Sequence, residues 1–402
     1  MAKDTANASG YTPNALSKRK QKSTGVFSMP SAGSVLITSV SCLMVLSLIM
    51  VASASIPFAN MHDIEQLYFF KHQLMYMGLG LVAGLMVYKV RLLWLYDMFT
   101  LVSALLIVIA LLLATLMFGD AINGSKRWIE LGPFNFQVAE LAKLVMVMFT
   151  ADFVVRRGTE VRHGYGGIFR MGAVVAILVG LFLSQPDFGS LVIIIGVILA
   201  IFFVAGAPWS QSGFLILFVL VGAAYAVMFQ EYRMTRASSF IDPFDDIQGS
   251  DYQLARSLIA FGRGEVTGVG YGESVQKLAH LPEAHTDFLL AITAEELGFV
   301  GVMTVLVLEA LVIASAMRIS YIALKNRQMR LSYTAFGFAV IFIGQGVINA
   351  GMNMGLMPTK GLTLPFFSYG GSSMLISLMM VGILLNIHKK TSKIPAAQCR
   401  HY

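Results

Sequence analysis

Charge is the scarcest feature of this chain. Asp, Glu, Lys and Arg make up 13% of its 402 residues, about half the share of an ordinary soluble domain. Hydrophobic residues make up 56%. Together these exclude a soluble protein of ordinary surface, because the polar helix faces it would need are missing. No soluble-looking segment is longer than the stretch 231–286. Cysteine is nearly absent too. Cys42 lies in an apolar run and Cys399 in a basic tail, which excludes a disulfide framework. A nucleotide-binding signature is also lacking. The glycine-rich GRGEVTGVGYG beginning at Gly262 has no strand-to-helix context, and no nucleic-acid partner is expected. The first residues carry KRKQK at Lys18 to Lys22 rather than an early apolar core. They are therefore expected to be an uncleaved cytoplasmic tail, residues 1–33, and not a signal peptide.

What is present is apolar sequence in membrane-length runs. A spanning helix needs roughly 20 mostly apolar residues. Ten runs qualify: about 34–56, 70–90, 95–118, 138–156, 167–184, 188–206, 213–230, 288–316, 332–352 and 371–388. Between the fifth and sixth stands only SQPD, where Pro186 favours a tight turn over one long kinked helix. Of the 29 Lys and Arg residues, 19 fall on one side when the N-terminus is placed inside, so both ends are expected in the cytoplasm. The expected architecture is all-α: a polytopic membrane domain over 34–388, about ten spans with a large structured extracytoplasmic loop at 231–286, and a cytoplasmic tail at 389–402.

That orientation makes the outer cations unusual. The long loop holds Arg233, Arg236, Arg256, Arg263 and Lys277 among aromatics and glycines. Such a loop suits an anionic partner such as a phosphate-bearing lipid headgroup. A solvated loop, too long to obey the positive-inside rule, is the alternative reading of the charges.

The stretch LAHLPEAHTDFLLAITAEELG, Leu278 to Gly298, places acids beside and inside an apolar run. Thr286 is positioned to cap a helix starting near Asp287, whose carboxylate would then favour the helix dipole. The same carboxylate at the outer face is equally well placed as a general base. Glu283, His285 and Asp287 would share one face of an extended segment, but their spacing matches no strong metal motif. A divalent ion (Mg or Mn) bridging carboxylate and pyrophosphate oxygens fits better than a dedicated site. Glu295 lies about 12 Å deeper than Asp287, while Glu296 faces the other side and reads as a fastening between helices. Glu140 and Lys143 form an i, i+3 pair that neutralises itself. With Trp128 and Asp187 they are candidates for lining a cavity. Ser372 and Ser373, behind Gly370 and Gly371, would expose backbone N–H groups at a helix start, where anions bind. A simple turn is the alternative there.

Several motifs stand in order along the chain: GSKRWIELGPFNFQVAELAKL, QPDFG, AFGRGEVTGVGYGESVQKLAHLPEAHTDF, AEELGFVG and GLMPTKGLTLPFFSYGGSS. Together they resemble the SEDS family of bacterial cell-wall polymerases, its division member more than its elongation member. The resemblance runs from about the first span to His388. It implies a ten-span glycosyltransferase acting on lipid II at the outer face of the inner membrane, with Asp287 as the catalytic carboxylate. It further implies a class B penicillin-binding protein as partner, alongside other divisome membrane proteins. Val138 and Ala139 depart from the usual family pattern, removing a helix-start proline and a capping serine. Candidates for binding the substrate are Arg233, Arg236, Lys277, Lys360 and His285, with Ser372 and Ser373. No dedicated cofactor is implied. A lipid II flippase is the competing reading, since broken helices and intramembrane acids suit transport, although no internal repeat is evident. An elongation polymerase is a second alternative.

Overall fold

A backbone surrounded by lipid can satisfy its N–H and C=O groups only within a helix or a closed barrel, and the apolar runs here close into helices. The computed structural model describes residues 30–119, 126–131, 134–210, 213, 216, 244, 252–278, 281, 283–359 and 361–392. The elements are α1 Ala32–Met61, α2 Tyr68–Lys89, α3 Leu92–Leu95, α4 Met98–Phe118, β1 Trp128–Leu131, β2 Phe134–Gln137, α5 Val138–Arg156 and α6 Gly158–His163. They continue with α7 Gly166–Ser184, α8 Phe188–Val204, α9 Tyr252–Gly264, α10 Leu289–Lys325, α11 Met329–Asn353 and α12 Gly371–Ser392.

Nine of the ten expected spans coincide with helices, and the tenth, 213–230, lies almost wholly outside the described residues. Six of the nine (α1, α4, α7, α10, α11 and α12) are long and apolar enough to cross a membrane by length and composition. α8 has 17 residues, and α5 carries Glu140, Lys143, Asp152 and Arg156. At Pro186 the chain turns between α7 and α8 instead of running through as one helix.

Small residues let the helices approach. α2 crosses α12 so closely that a Cβ on Gly382 would stand 2.2 Å from the Gly84 carbonyl oxygen. In lipid such contacts replace the hydrophobic drive that water would supply. At the other end of α5 from Glu140, Asp152 pairs with Arg156 one turn on and with Arg330 of α11 at 3.0 Å.

The segment 252–278 is bound to α10 by two buried carboxylates. Glu295 accepts from Arg263 at 2.9 Å, from the N–H groups of Val275 and Gln276 at 3.1 and 3.2 Å, and from the Ser274 hydroxyl. Glu296 accepts from Lys277 at 2.7 Å and from Ser53 of α1 at 2.7 and 2.8 Å. Main-chain bonds reinforce the join where α10 kinks. Gly298 there has φ +66° and ψ −164°. Val269 donates to the Glu295 carbonyl and Gly270 to that of Glu296. A Cβ on Gly298 would lie 2.3 Å from the Gly268 nitrogen. Close backbone approach thus accounts for the glycine-rich run.

Removing one member of a buried ion pair leaves an uncompensated charge, at a cost of about 3–5 kcal/mol. Lys277→Ala should therefore lower the thermal midpoint of the purified protein strongly, and Lys277→Met with Glu296→Gln should recover much of the loss. Equal midpoints for the single and double variants would refute the pairing.

Candidate active site

Asp287 does not sit in the first turn of a helix. α10 begins at Leu289 with Phe288 at the cap position, and no side chain caps it locally. Thr286, expected as that cap, instead donates its hydroxyl back to Glu283, to Oε2 at 2.7 Å and to the carbonyl at 3.1 Å. Residues 283–288 form successive turns, which halt the helix early and leave Asp287 half-buried ahead of it.

Two amides from α11 hold this turn. Asn349 donates to the Asp287 carbonyl at 2.9 Å and to the Leu362 carbonyl at 2.7 Å. Asn353 donates to the same Asp287 carbonyl at 3.0 Å, while its Oδ1 accepts from the Ala291 N–H at 3.2 Å. Asn353 therefore caps α10 from a neighbouring helix, satisfying an N–H that a helix start leaves open. Its own carbonyl accepts from Ser257 of α9 at 2.7 Å. The NAGMN sequence, two amides one turn apart in an apolar helix, was the available signal for this pair.

The loop 361–370 closes over the same spot. An ideal Cβ on Gly361 would lie 3.4 Å from Asp287 Oδ2 and 3.7 Å from Arg127 Nη1, so carboxylate and guanidinium converge there. Arg127 stands before β1. Its Nε donates to the Gln185 carbonyl at 3.4 Å and its Nη2 to the Pro186 carbonyl. Phe366 and Phe367 bury fully and anchor the loop. The Tyr369 N–H donates to the His285 carbonyl at 3.1 Å.

The other expected site residues divide. Arg233, Arg236 and Lys360 lie outside the described residues. Lys277, expected to meet an anion, is 8% exposed. It gives its ammonium protons to Glu296, Ser53 and the Gly272 carbonyl, because Glu296 inside α10 must be neutralised. Ser372 accepts from the Gln137 N–H at 2.8 Å and donates to the Asn135 carbonyl at 3.1 Å, so it holds the β1–β2 hairpin. Ser373 accepts from Thr363 at 3.0 Å. α12 does begin at Gly371, beside a largely apolar cavity of about 190 Å³ that Tyr76 and Phe136 help to line. Asp187 caps α8 by accepting from the Ser190 N–H at 3.2 Å, and Gln137 reaches it at 3.4 Å. Trp128 opens β1 opposite Gln137. Glu140 and Lys143 pair at 2.7 Å, both buried. Among the described residues no group of three His, Cys, Asp or Glu could hold a metal ion. Glu283 is exposed while His285 is buried, so the turns separate side chains that an extended segment would align.

His285 packs between Phe69, Phe58 and Tyr369, with ring centroids 4.5, 5.2 and 5.6 Å away. Burial pushes its imidazole down to about 4, opposed in part by the Glu283 carboxylate. The ring is therefore a neutral packing element at pH 7. A folded value below the unfolded 6.5 means that the unfolded chain binds the proton first. Stability held above pH 6.5 should thus be lost as pH falls toward 4, by on the order of 3 kcal/mol from this group. His285→Phe should flatten that part of the thermal-midpoint profile. An unchanged acid limb would show that the ring is not neutral and buried.

The comparisons with known proteins agree with one another. The family described as Cell cycle protein, FTSW_RODA_SPOVE, matches residues 34–393. A protein of Acinetobacter baylyi named "Probable peptidoglycan glycosyltransferase FtsW" is 47% identical over 366 residues, covering 90% of this chain and 91% of that protein. One of the same name from Tolumonas auensis is 44% identical over 347 residues, covering 86% and 89%. Among solved structures, a chain from work on structural coordination of polymerization and crosslinking by a peptidoglycan synthase complex superposes with TM-score 0.73. It has 27% identity and covers 89% of this chain and 98% of that one. The rod shape determining protein RodA of Thermus thermophilus gives TM-score 0.65 at 25% identity, covering 89% and 97%. With nearly its whole membrane region matched, the chain belongs to the FtsW/RodA/SpoVE family of multi-pass membrane proteins.

Proposed function

We propose that this protein is a peptidoglycan glycosyltransferase that polymerises lipid II during cell division, with Asp287 as its general base. The observation that carries the reading is the placement of Asp287. It is half-buried, fixed through its main chain by two buried amides, and its carboxylate and the Arg127 guanidinium both lie within contact distance of a Cβ placed on Gly361. Relatives at 41–47% identity carry the FtsW glycosyltransferase name, which favours the division role over an elongation role.

In the proposed reaction the Asp287 carboxylate takes the proton of the 4-hydroxyl of the acceptor N-acetylglucosamine. That oxygen attacks the anomeric carbon of the donor. The bond from that carbon to the diphosphate oxygen breaks with inversion, and undecaprenyl diphosphate leaves with the electron pair. No acid partner is needed, because a diphosphate departs as a stabilised anion where fixed positive charge surrounds it. Arg233, Arg236 and Lys360 keep their candidacy for that task, while Lys277 is reassigned to holding Glu296. A Mg or Mn ion, when bound, would be held by Asp287 together with diphosphate oxygens and would supply positive charge to the leaving group; among the described residues no group of three His, Cys, Asp or Glu could hold one alone. An apolar cavity of about 280 Å³ between α1 and the α10 kink, lined by Leu46, Met50, Leu297, Val300, Val305 and Phe367, suits part of a prenyl chain.

The reading places the site at the outer face of the bacterial inner membrane, both termini in the cytoplasm and the protein at the division site. The neighbour solved within a synthase complex supports a class B penicillin-binding protein as partner, with other divisome proteins nearby. A flippase would need a bilayer to act across. Glycan synthesis from lipid II in detergent therefore separates the two readings.

Asp287→Asn should abolish glycan synthesis from purified lipid II with the thermal midpoint retained, and full synthesis by that variant would remove Asp287 from the chemistry. Asn353→Ala should lower kcat by about 10- to 100-fold with little change in KM, the scale expected when a reacting group shifts by about an ångström. A kcat equal to wild type would show that the amide does not position the carboxylate.

A further inference from the structure

We infer that Arg256 binds a free carboxylate of the peptide carried by lipid II, so that the protein selects its substrate by the peptide as well as by the sugars. This rests on the reading of Asp287 as the base of a lipid II polymerase. Three observations carry it.

First, the charge of Arg256 is not cancelled within the fold. α9 carries Arg256 and Arg263 about two turns apart on one face. Arg263 pairs with Glu295 of α10 at 2.9 Å. Among the described residues no carboxylate lies within ion-pair distance of Arg256. Its Nε is buried and has no hydrogen-bond partner among them. Buried donors in native structures are almost always matched, and the positive charge favours an anionic acceptor here.

Second, the guanidinium is held, and held to the site. Its Cζ stands 5.2 Å from the ring centroid of Tyr252, one turn earlier on α9, a contact that attracts a cation. The next residue, Ser257, donates to the Asn353 carbonyl at 2.7 Å, and Asn353 donates to the Asp287 carbonyl at 3.0 Å. Arg256 is thus tied to the amide that fixes the base. It is half-buried, so an anion bound to it would be partly shielded from water. Nε and one Nη offer parallel N–H donors, the geometry that a carboxylate accepts with both oxygens.

Third, the position of α9 selects which anion. In the proposed orientation α11 runs outward, and Asn353 stands one turn, about 6 Å, beyond Asn349. Asn349 reaches the Leu362 carbonyl, whereas Asn353 meets α9 through Ser257. α9 therefore joins the site on its outer side. A polyprenyl diphosphate is anchored at the membrane surface. The peptide is attached to the sugar beyond it and projects away from the lipid. Its carboxylates are the anions that the substrate carries on the side where Arg256 stands.

The test compares binding of lipid II and of lipid II with its peptide carboxylates converted to methyl esters, to the purified full-length protein in detergent micelles. Wild type should prefer the free acid by at least about tenfold. Arg256→Gln should bind the ester as wild type does but shrink the preference to within about threefold, and Arg256→Lys should fall between. If Arg256→Gln shows no cooperative thermal transition, Arg256→Lys decides by the same comparison. A wild type without preference, or an Arg256 variant that keeps it in full, overturns the inference. So does an Arg256→Gln protein that loses affinity equally for both ligands, because the anion would then be the diphosphate or the role structural. Asp287→Asn should keep the preference while losing glycan synthesis. Synthesis by that variant would overturn the base reading instead and leave the Arg256 result standing.

Discussion

A charge inside a membrane helix must be paired, and this constraint organises the molecule. An isolated ion in hydrocarbon is too costly to persist. α10 nevertheless carries two adjacent acids within its first turns, each fully buried. The chain resolves this by bringing the cations of the 252–278 segment down onto them. The partners are Arg263 and Lys277, with Ser53 of α1 and Ser274 completing the shells. The pairing is thus also an assembly rule. It fastens the polar segment to the membrane helices and joins α1 to α10 at the kink. Glu140 with Lys143 and Asp152 with Arg330 apply the same rule within α5 and between α5 and α11.

Pairing also sorts functional from structural charge. Five outer cations looked equivalent in sequence. Once two of them neutralise acids within the fold, their presence needs no ligand to explain it. Arg127 differs because its partners are carbonyls, which orient the guanidinium without cancelling its charge. The turn at Asp287 is also held through its main chain, by Asn349 and Asn353.

The spans were legible because apolar length is a local property, and nine of the ten expected runs coincide with helices. Glu140 and Lys143 were legible as a pair because i, i+3 neighbours meet on any helix. Partners far apart in sequence were not. Nothing local marks Ser53 as the companion of Glu296 or Ser372 as the companion of Gln137, 243 and 235 residues away. Lys277 misled for this reason, since its sequence neighbours are polar and its actual surroundings are the buried face of α10. The capping role given to Thr286 failed differently. The left-handed backbone at Glu283, φ +57°, turns the chain so that the threonine hydroxyl meets residue 283 rather than the helix start.

The geometry of the site is therefore set by a helix that contributes no group to the proposed chemistry. One side chain, Asn349, binds both the Asp287 carbonyl and the Leu362 carbonyl, so the carboxylate and the Gly361 side of the space share a single anchor on α11. Asn353 ties that anchor to α9 through Ser257 and to α10 through Ala291. A shift of α11 would move both walls together and preserve their separation, whereas Arg127 is carried by the α7–α8 turn on the far side. Relative motion of those two supports is what would open or narrow the space between base and guanidinium. The width of the site is then a property of how α11 packs on α8, a contact that includes apolar side chains such as Ile193 beside Gly344.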